Sequence, residues 1–547
     1  MNLDFNKDIL HLINKFRIKK IFIYIFFFTI FIIGLNSFKD YGVYGDEPFH
    51  RWIGSIYYLH YKDLITNFNI NNEHISEIIR LSEDEYFRFW VVYPVFFDLF
   101  TELISDIFNV KTTQGIFQTR HLINFLIFFI STIFFYKLIN LRFKNFYFSI
   151  LGVIFLFFSP KIFAESFYNS KDILFMSFSI INIYFSFKFI KSQNLKNLIF
   201  YSISSGLLIQ SRIMGLIFPL FTFTIILFEI IESNKEFKKK LTKIIISTIL
   251  IFIIIILFWP FVWVDFFKHF NFYLQFLSHL AGPYVNLYFG ENFLSNNSPW
   301  HFKFIWILIT IPSHIILLSV LGFVLVFFKY FNRILTLEKN NKIWFNNLEG
   351  LDFLIFLLLF IPLVLMAFYK NNFDGWRHFY YVYPFIIYLA IIGLEKIKKI
   401  NFSFFLVLNF LMIANIFFNL NWMIKHHPYQ YTYFNLIHKK IIKKNFDLDY
   451  MGLSIKNSLE YILENDKRDL IKVSSLGQTW IEGNTLILHE KYKKRLEVAN
   501  YNESDYIIDT FRPVVGKKMQ VDLKKFSKFY DLSVDGKVVN SIYKKKD

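Results

Sequence analysis

The chain has 547 residues, 55% of them hydrophobic, and a formal net charge of +18. So apolar a composition, with mean hydropathy +0.39, predicts a multi-span membrane protein, and the positive charge is read as membrane topology, with no nucleic acid as partner. The absence of cysteine excludes disulfides, thiolate metal sites and a cysteine nucleophile, while the 76 phenylalanines reflect compositional bias rather than function.

Taken in order, Lys15, Arg17, Lys19 and Lys20 precede an apolar run from Ile21 to Leu35. No small-residue cleavage site follows, which predicts a retained first span. Hydropathy predicts about eleven spans, near 18–36, 118–138, 145–160, 172–190, 197–211, 213–231, 244–264, 303–328, 351–369, 378–394 and 401–424. Two of them, 145–160 and 197–211, are short enough to be tilted or partly re-entrant. The first loop, 37–117, contains an apolar stretch at 87–108 with Asp98, Glu102 and Asp106 at four-residue spacing. Acids sharing one helical face predict a helix lying in the interface rather than crossing it.

Positive charge in alternate loops supports that choice. After the basic N-terminus come Arg142/Lys144, Lys188/Lys191/Lys196, Lys235/Lys238/Lys239/Lys240/Lys243, Lys329/Arg333/Lys339/Lys342 and Lys396/Lys398/Lys399. The bias keeps one phase only if 87–108 does not span. The expectation is a multi-pass inner (plasma) membrane protein with a cytoplasmic N-terminus and an extracytoplasmic C-terminal region. Beyond 425, hydropathy falls. Ile455–Asn465 reads as a helix, Ile471–Ser475 and Tyr506–Thr510 as strands, and Lys544–Asp547 as a loose tail. The predicted fold is mainly α, a polytopic bundle over 1–424 with a small α/β domain at 425–547.

This topology gathers four clusters on the extracytoplasmic side. They are Asp46-Glu47, the loop Ser159–Asp172 with Glu165, Asn169, Lys171 and Asp172, the lone Arg212, and Asn371–Pro384 with Asp374, Arg377 and His378. Each has an ordinary reading: a solvated loop, a helix-start pair favoured by the dipole, or an interfacial anchor within an aromatic belt. Jointly these readings weaken, because ionisable groups beside a span are costly and need partners.

The four motifs carry a resemblance. Gly45-Asp46-Glu47-Pro48-Phe49-His50 resembles the first-loop acidic motif of the glycosyltransferase C superfamily. Within it the chain is most similar to the protein O-mannosyltransferases and aminoarabinose–lipid A transferases. Asn169-Ser170-Lys171-Asp172, Gly375–Pro384 and His427–Asn435 resemble later motifs of bacterial members, so the likeness runs over about 15–435 and fades beyond.

The resemblance implies an integral-membrane hexosyl or pentosyl transferase. It would move a sugar from a polyprenyl-phosphate donor to a lipid, glycan or protein acceptor, with inversion. A single displacement needs one base near the acceptor hydroxyl, and Asp46 is the choice because the family motif begins with it. Glu47 would orient Asp46 or help bind a cation, and like-charge contact within the pair would raise one carboxyl's pKa. Arg377, Lys171, Arg212 and His378 are the candidates for the developing phosphate charge. Glu165, Asn169, Asp172 and Asp374 are candidates for substrate or acceptor contacts. No His-Glu-x-x-His spacing occurs, so a metal, if used, would be Mg²⁺ or Mn²⁺ on Asp46, Glu47 and Asp172. Competing readings are a lipid or glycan transporter or flippase, an O-antigen-type polymerase or ligase, and a structural scaffold. A transporter would carry midplane charges and internal repeats, neither of which is visible.

Overall fold

A computed structural model describes residues 2–546 apart from 70–71, 85, 234–236, 279–283, 337–341, 436–438, 477–480 and 514–519. Lys235 and Lys339 of the basic loops and Asp547 of the tail lie outside the described residues. Among the described residues nine helices are long and apolar enough to cross a bilayer. They are Arg17–Ser37, Thr113–Phe143, Asp172–Lys191, Ile213–Ile231, Phe237–Leu257, Ser313–Leu335, Asn347–Phe368, Arg377–Ile400 and Phe402–Lys425. A tenth crossing exists only if Phe146–Phe157 and Pro160–Tyr168, bent by 64°, count as one broken span. The chain is thus a mainly helical, multi-pass membrane protein.

The run expected at 145–160 therefore bends before Pro160, and the 17-residue helix Leu195–Ser211 matches the short run at 197–211. The run expected at 303–328 is two helices, Phe302–Thr310 and Ser313–Leu335, divided at Pro312. Proline lacks the N–H that would continue the ladder and forces its predecessor into extended backbone, as Ile311 shows at ψ 139°. The run at 244–264 stops at Leu257, because Trp259-Pro260 opens the 3-10 turn Pro260–Val262.

The first loop folds into helices Glu47–Asn67, Glu73–Glu83, Arg88–Val91 and Phe96–Ile107. The last has 12 residues, a rise of about 18 Å against a hydrocarbon core of about 30 Å. Two of its three acids, Asp98 and Glu102, turn into the protein, and Asp106 stays at the surface. Asp98 pairs with Arg120 at 2.6 Å, Glu102 with Arg51 at 3.2 Å and Asp106 with Lys62 at 3.3 Å. Phe100, Leu103 and Ile107 are left exposed. What faces outward on this helix is its apolar side, with the exposed Asp106–Lys62 pair near its end.

A hairpin absent from the sequence expectations, β1 (Val285–Tyr288) and β2 (Glu291–Leu294), lies between two membrane helices. The C-terminal region forms β3 (Ile471–Leu476), β4 (Leu496–Val498), β5 (Tyr506–Asp509), β6 (Phe526–Val534) and β7 (Lys537–Lys545). Their order is β4-β3-β5-β7-β6, with β3 parallel to β4 and β5 and the β7 pairings antiparallel. The helix Ile455–Asn465 packs Leu459 and Ile462 onto Ile471, Val473, Ile508 and Ile542 of this sheet. Lys544 and Lys545 are not a tail. Lys544 pairs with Tyr506 and Lys545 with Phe526, because the buried residues preceding them, Val539 to Ile542, carry the strand on.

The stretch Asp40–His50 is fastened to this C-terminal region. Asn484 accepts from the Val43 N–H at 3.1 Å and donates to the Val43 carbonyl at 3.0 Å. Lys456 donates to the carbonyls of Lys39 and Asp40 at 2.8 and 3.1 Å. Gly42 is required here, since a Cβ would lie 2.5 Å from the Leu453 carbonyl oxygen.

Candidate active site

Asp46 occupies the N-cap position of the helix Glu47–Asn67, and Pro48 fits its first turn because the missing N–H would have no partner there. An aspartate at that position ordinarily accepts a backbone N–H. Asp46 instead has helical backbone (φ −83°, ψ −19°) and no capping bond, and among the described residues its half-buried carboxylate is uncommitted. Burial raises its carboxyl above the usual range, against the opposing pull of Arg377 and Lys171; Asp374 adds to the rise. The raising partner is thus not Glu47, as like-charge contact within the pair had suggested.

Glu47 turns the other way. It is 1% exposed and faces Arg120 at 3.6 Å and His121 at 3.3 Å. Arg120 also donates to Asp98 and, at 2.9 Å, to Thr101. This knot ties the start of the Asp46 helix to the span Thr113–Phe143.

On the far wall, Asp172 opens its span with its N–H capped by Asn169 at 2.9 Å. Its carboxylate accepts from Arg212 and, at 3.2 Å, from Arg377. Asp374 and Gly375 adopt left-handed backbone (φ 53° and 65°), a turn that glycine and aspartate tolerate. Across that turn Arg377 meets Asp374 at 3.0 Å, and Asp374 in turn accepts from Arg512 of the C-terminal region at 2.8 Å. The result is a relay of alternating charge with a buried centre and half-buried ends, Arg212–Asp172–Arg377–Asp374–Arg512.

Several cationic groups here are incompletely satisfied. Lys171 sits 4.0 Å from the centre of the Tyr93 ring, and burial with repulsion from Arg212 pulls its ammonium down to about 8. Lys303 is 0% exposed and lies between the rings of Tyr369 and Phe379, at 4.2 and 4.1 Å. Its Nζ has no hydrogen-bond partner among the described residues, nor do Arg212 Nε, Arg377 Nε and His378 Nδ1. A buried charged donor without a partner costs several kcal/mol. Three such nitrogens, on Arg212, Lys303 and Arg377 from segments far apart in the chain, with the His378 ring next to Arg377, form an array suited to a multi-oxygen anion.

Glu165 and Asn169 are committed internally. Glu165 accepts from Tyr380 at 2.5 Å and from Asn169 at 2.7 Å, and Asn169 also donates to Asp172 at 3.1 Å. Among the described residues no three His, Cys, Asp or Glu side chains gather as a metal ligand set. Two of the three carboxylates considered for Mg²⁺ or Mn²⁺, Glu47 and Asp172, are held by arginines, so the residues present do not fit that metal site.

Sequence reasoning missed Arg120, Lys303 and Arg512. The first two had a signal, each being a lone cation at the head of an apolar run. Arg512, in a stretch with no motif, had none.

Residues 92–263 match the model of the family described as dolichyl-phosphate-mannose-protein mannosyltransferase. No curated protein matches the chain. Among solved structures, the crystal structure of ArnT from Cupriavidus metallidurans bound to undecaprenyl phosphate superposes with a TM-score of 0.48 and 9% identity, covering 95% of this chain and 97% of that one. Over residues 92–263, which carry Tyr93, Arg120, Lys171, Asp172 and Arg212, the chain is similar to the mannosyltransferase family that its motifs resemble.

Proposed function

We propose that this protein is a membrane glycosyltransferase that moves a sugar, with inversion, from a polyprenyl-phosphate donor to an acceptor hydroxyl. The reaction lies on the extracytoplasmic face of the inner membrane, with the N-terminus cytoplasmic. The observation that carries this reading is an uncommitted carboxylate, Asp46, in the field of a cationic wall that keeps several buried nitrogens without a partner among the described residues. The family match over 92–263 supports it.

In this mechanism Asp46 takes the proton of the acceptor hydroxyl, and its raised pKa makes it a stronger base than an exposed aspartate. The acceptor oxygen bonds to the anomeric carbon as the anomeric carbon–phosphate oxygen bond breaks. The electron pair leaves with the polyprenyl phosphate. Arg377, Arg212, Lys171 and Lys303 stabilise the charge gathering on that phosphate, and His378 adds a hydrogen bond. Asp172 and Asp374 hold the arginines apart and aimed, with Asn169 and Glu165 bracing Asp172. Glu47 acts as a positioning residue, fixing the helix that begins at Asp46.

Asp46→Asn, reconstituted in nanodiscs, tests the reading. Transfer, followed by mass analysis of donor and product, is expected to fall about 10²–10⁴-fold, the range for a general base. Binding of undecaprenyl phosphate should be retained. Unimpaired turnover in this variant removes Asp46 as the base.

A further inference from the structure

A cavity of about 190 Å³ lies where the C-terminal region meets the membrane unit, walled by Leu287 of β1, the segment Phe446–Tyr450, Thr510 to Arg512, and Val538 and Val539 of β7. Nothing in the glycosyl-transfer mechanism uses it. Its polar equipment is specific. The Thr510 hydroxyl is buried, the residue being 5% exposed, and has no hydrogen-bond partner among the described residues. Asp447 accepts from the Leu287 N–H at 3.0 Å through one carboxylate oxygen, and no described residue donates to the other. Arg512 closes one wall with its guanidinium already divided between the Tyr450 carbonyl and Asp374.

We propose that this cavity is the acceptor's subsite and takes a neutral, polyhydroxylated group such as a terminal sugar ring. The inference rests on the glycosyl-transfer reading. An anion is disfavoured, because Asp447 and Asp449 share the wall and Asp374 already neutralises Arg512. A purely apolar ligand would leave the buried Thr510 hydroxyl unsatisfied, a penalty of about 1–3 kcal/mol, and would cover the carboxylate of half-buried Asp447. A sugar answers both, offering hydroxyls to Asp447 and Thr510 and a C–H face to Leu287 and Val538. The volume is below the ~300 Å³ at which sites for drug-sized ligands begin, which suits one ring rather than an oligomer. The position also fits. Arg512 joins the cavity wall to the Asp374–Arg377 relay, and both Arg512 and Asp374 act electrostatically on Asp46.

The test uses the full chain in nanodiscs with methyl α-mannopyranoside and methyl α-glucopyranoside as probes, read by saturation-transfer NMR, and undecaprenyl phosphate titrated in parallel. At least one glycoside is expected to bind the wild type. Val538→Trp, which fills the space from a half-buried position, should weaken that binding about tenfold or more, the equivalent of losing ~1.4 kcal/mol. Thr510→Val, which keeps the shape and deletes the hydroxyl, should weaken it about two- to tenfold, the worth of one net hydrogen bond. Undecaprenyl phosphate should bind all three proteins alike. Thr510→Val decides the question alone if the tryptophan variant does not fold. The assignment is overturned if neither glycoside binds the wild type, if the variants bind as the wild type does, or if inorganic phosphate displaces the glycoside. Failure of undecaprenyl phosphate to bind the wild type would instead sink the transfer reading, with the glycoside result still deciding the cavity.

Discussion

Replacing Lys303 with methionine is expected to stabilise the protein while weakening its grip on a polyprenyl phosphate. The side chain is wholly buried, and its ammonium has two aromatic faces but no hydrogen bond or counter-ion among the described residues. Removing an unpaired buried charge relieves a desolvation penalty of several kcal/mol. Losing two cation–π contacts gives back about 2 kcal/mol each, while the thioether keeps about 1 kcal/mol of contact with the same rings. The balance is a gain of about 1–3 kcal/mol, within the range seen when buried charges are replaced by apolar side chains. Binding moves the opposite way. A hydrogen bond to a charged group is worth about 1.5–3 kcal/mol, so affinity for undecaprenyl phosphate should fall about ten- to a hundredfold. Thermal unfolding in nanodiscs, without and with the lipid, reads both quantities on one sample. A variant that melts lower than wild type yet binds the lipid equally well would refute the reasoning, because Lys303 would then be a structural residue satisfied by its two rings.

Three further outcomes are expected. Lys171, pulled down to about 8, is charged below that pH and neutral above it, so kcat/KM for the donor should fall as pH rises through about 8. Lys171→Arg, which keeps its charge, should remove that alkaline limb, and a limb unchanged in the variant would exclude Lys171 as its source. Glu47→Gln breaks a buried contact with Arg120 and His121 and should cost about 3–5 kcal/mol of stability, whereas Asp46→Asn should cost little. Loss of turnover in Glu47→Gln at an unaltered melting temperature would instead make Glu47 part of the chemistry. Arg512→Lys keeps the charge but not the fork that reaches both Tyr450 and Asp374. It should raise KM for the donor about tenfold, a network coupling of ~1.4 kcal/mol, with kcat little changed. A wild-type KM in that variant would show that the Asp374–Arg377 pair does not depend on the C-terminal region.

Much of the bundle follows from hydropathy alone, because a bilayer imposes the same length and apolarity on every crossing helix wherever its neighbours lie. Where the expectation slipped, a local cause intervened: Pro260 and Pro312 break apolar runs that hydropathy reads as continuous. The candidate groups at Asp46, Lys171, Asp172, Arg212, Asp374 and Arg377 could be picked out for a related reason, since charge beside a membrane span is costly enough to be conspicuous. What each group does was not legible. Asp46 and Glu47 are chain neighbours of like charge, yet one is uncommitted and the other bound to a histidine 74 positions away. Arg377 meets Asp172 across 205 positions, and Asp374 meets Arg512 across 138. Such pairings depend on which side chains the packed helices bring within about 3 Å, a distance at which a buried ion pair forms or a charge is left without a partner. Residue type and spacing along the chain carry no record of that distance, so only the tertiary structure divides these charges into those that brace the site and those left to act.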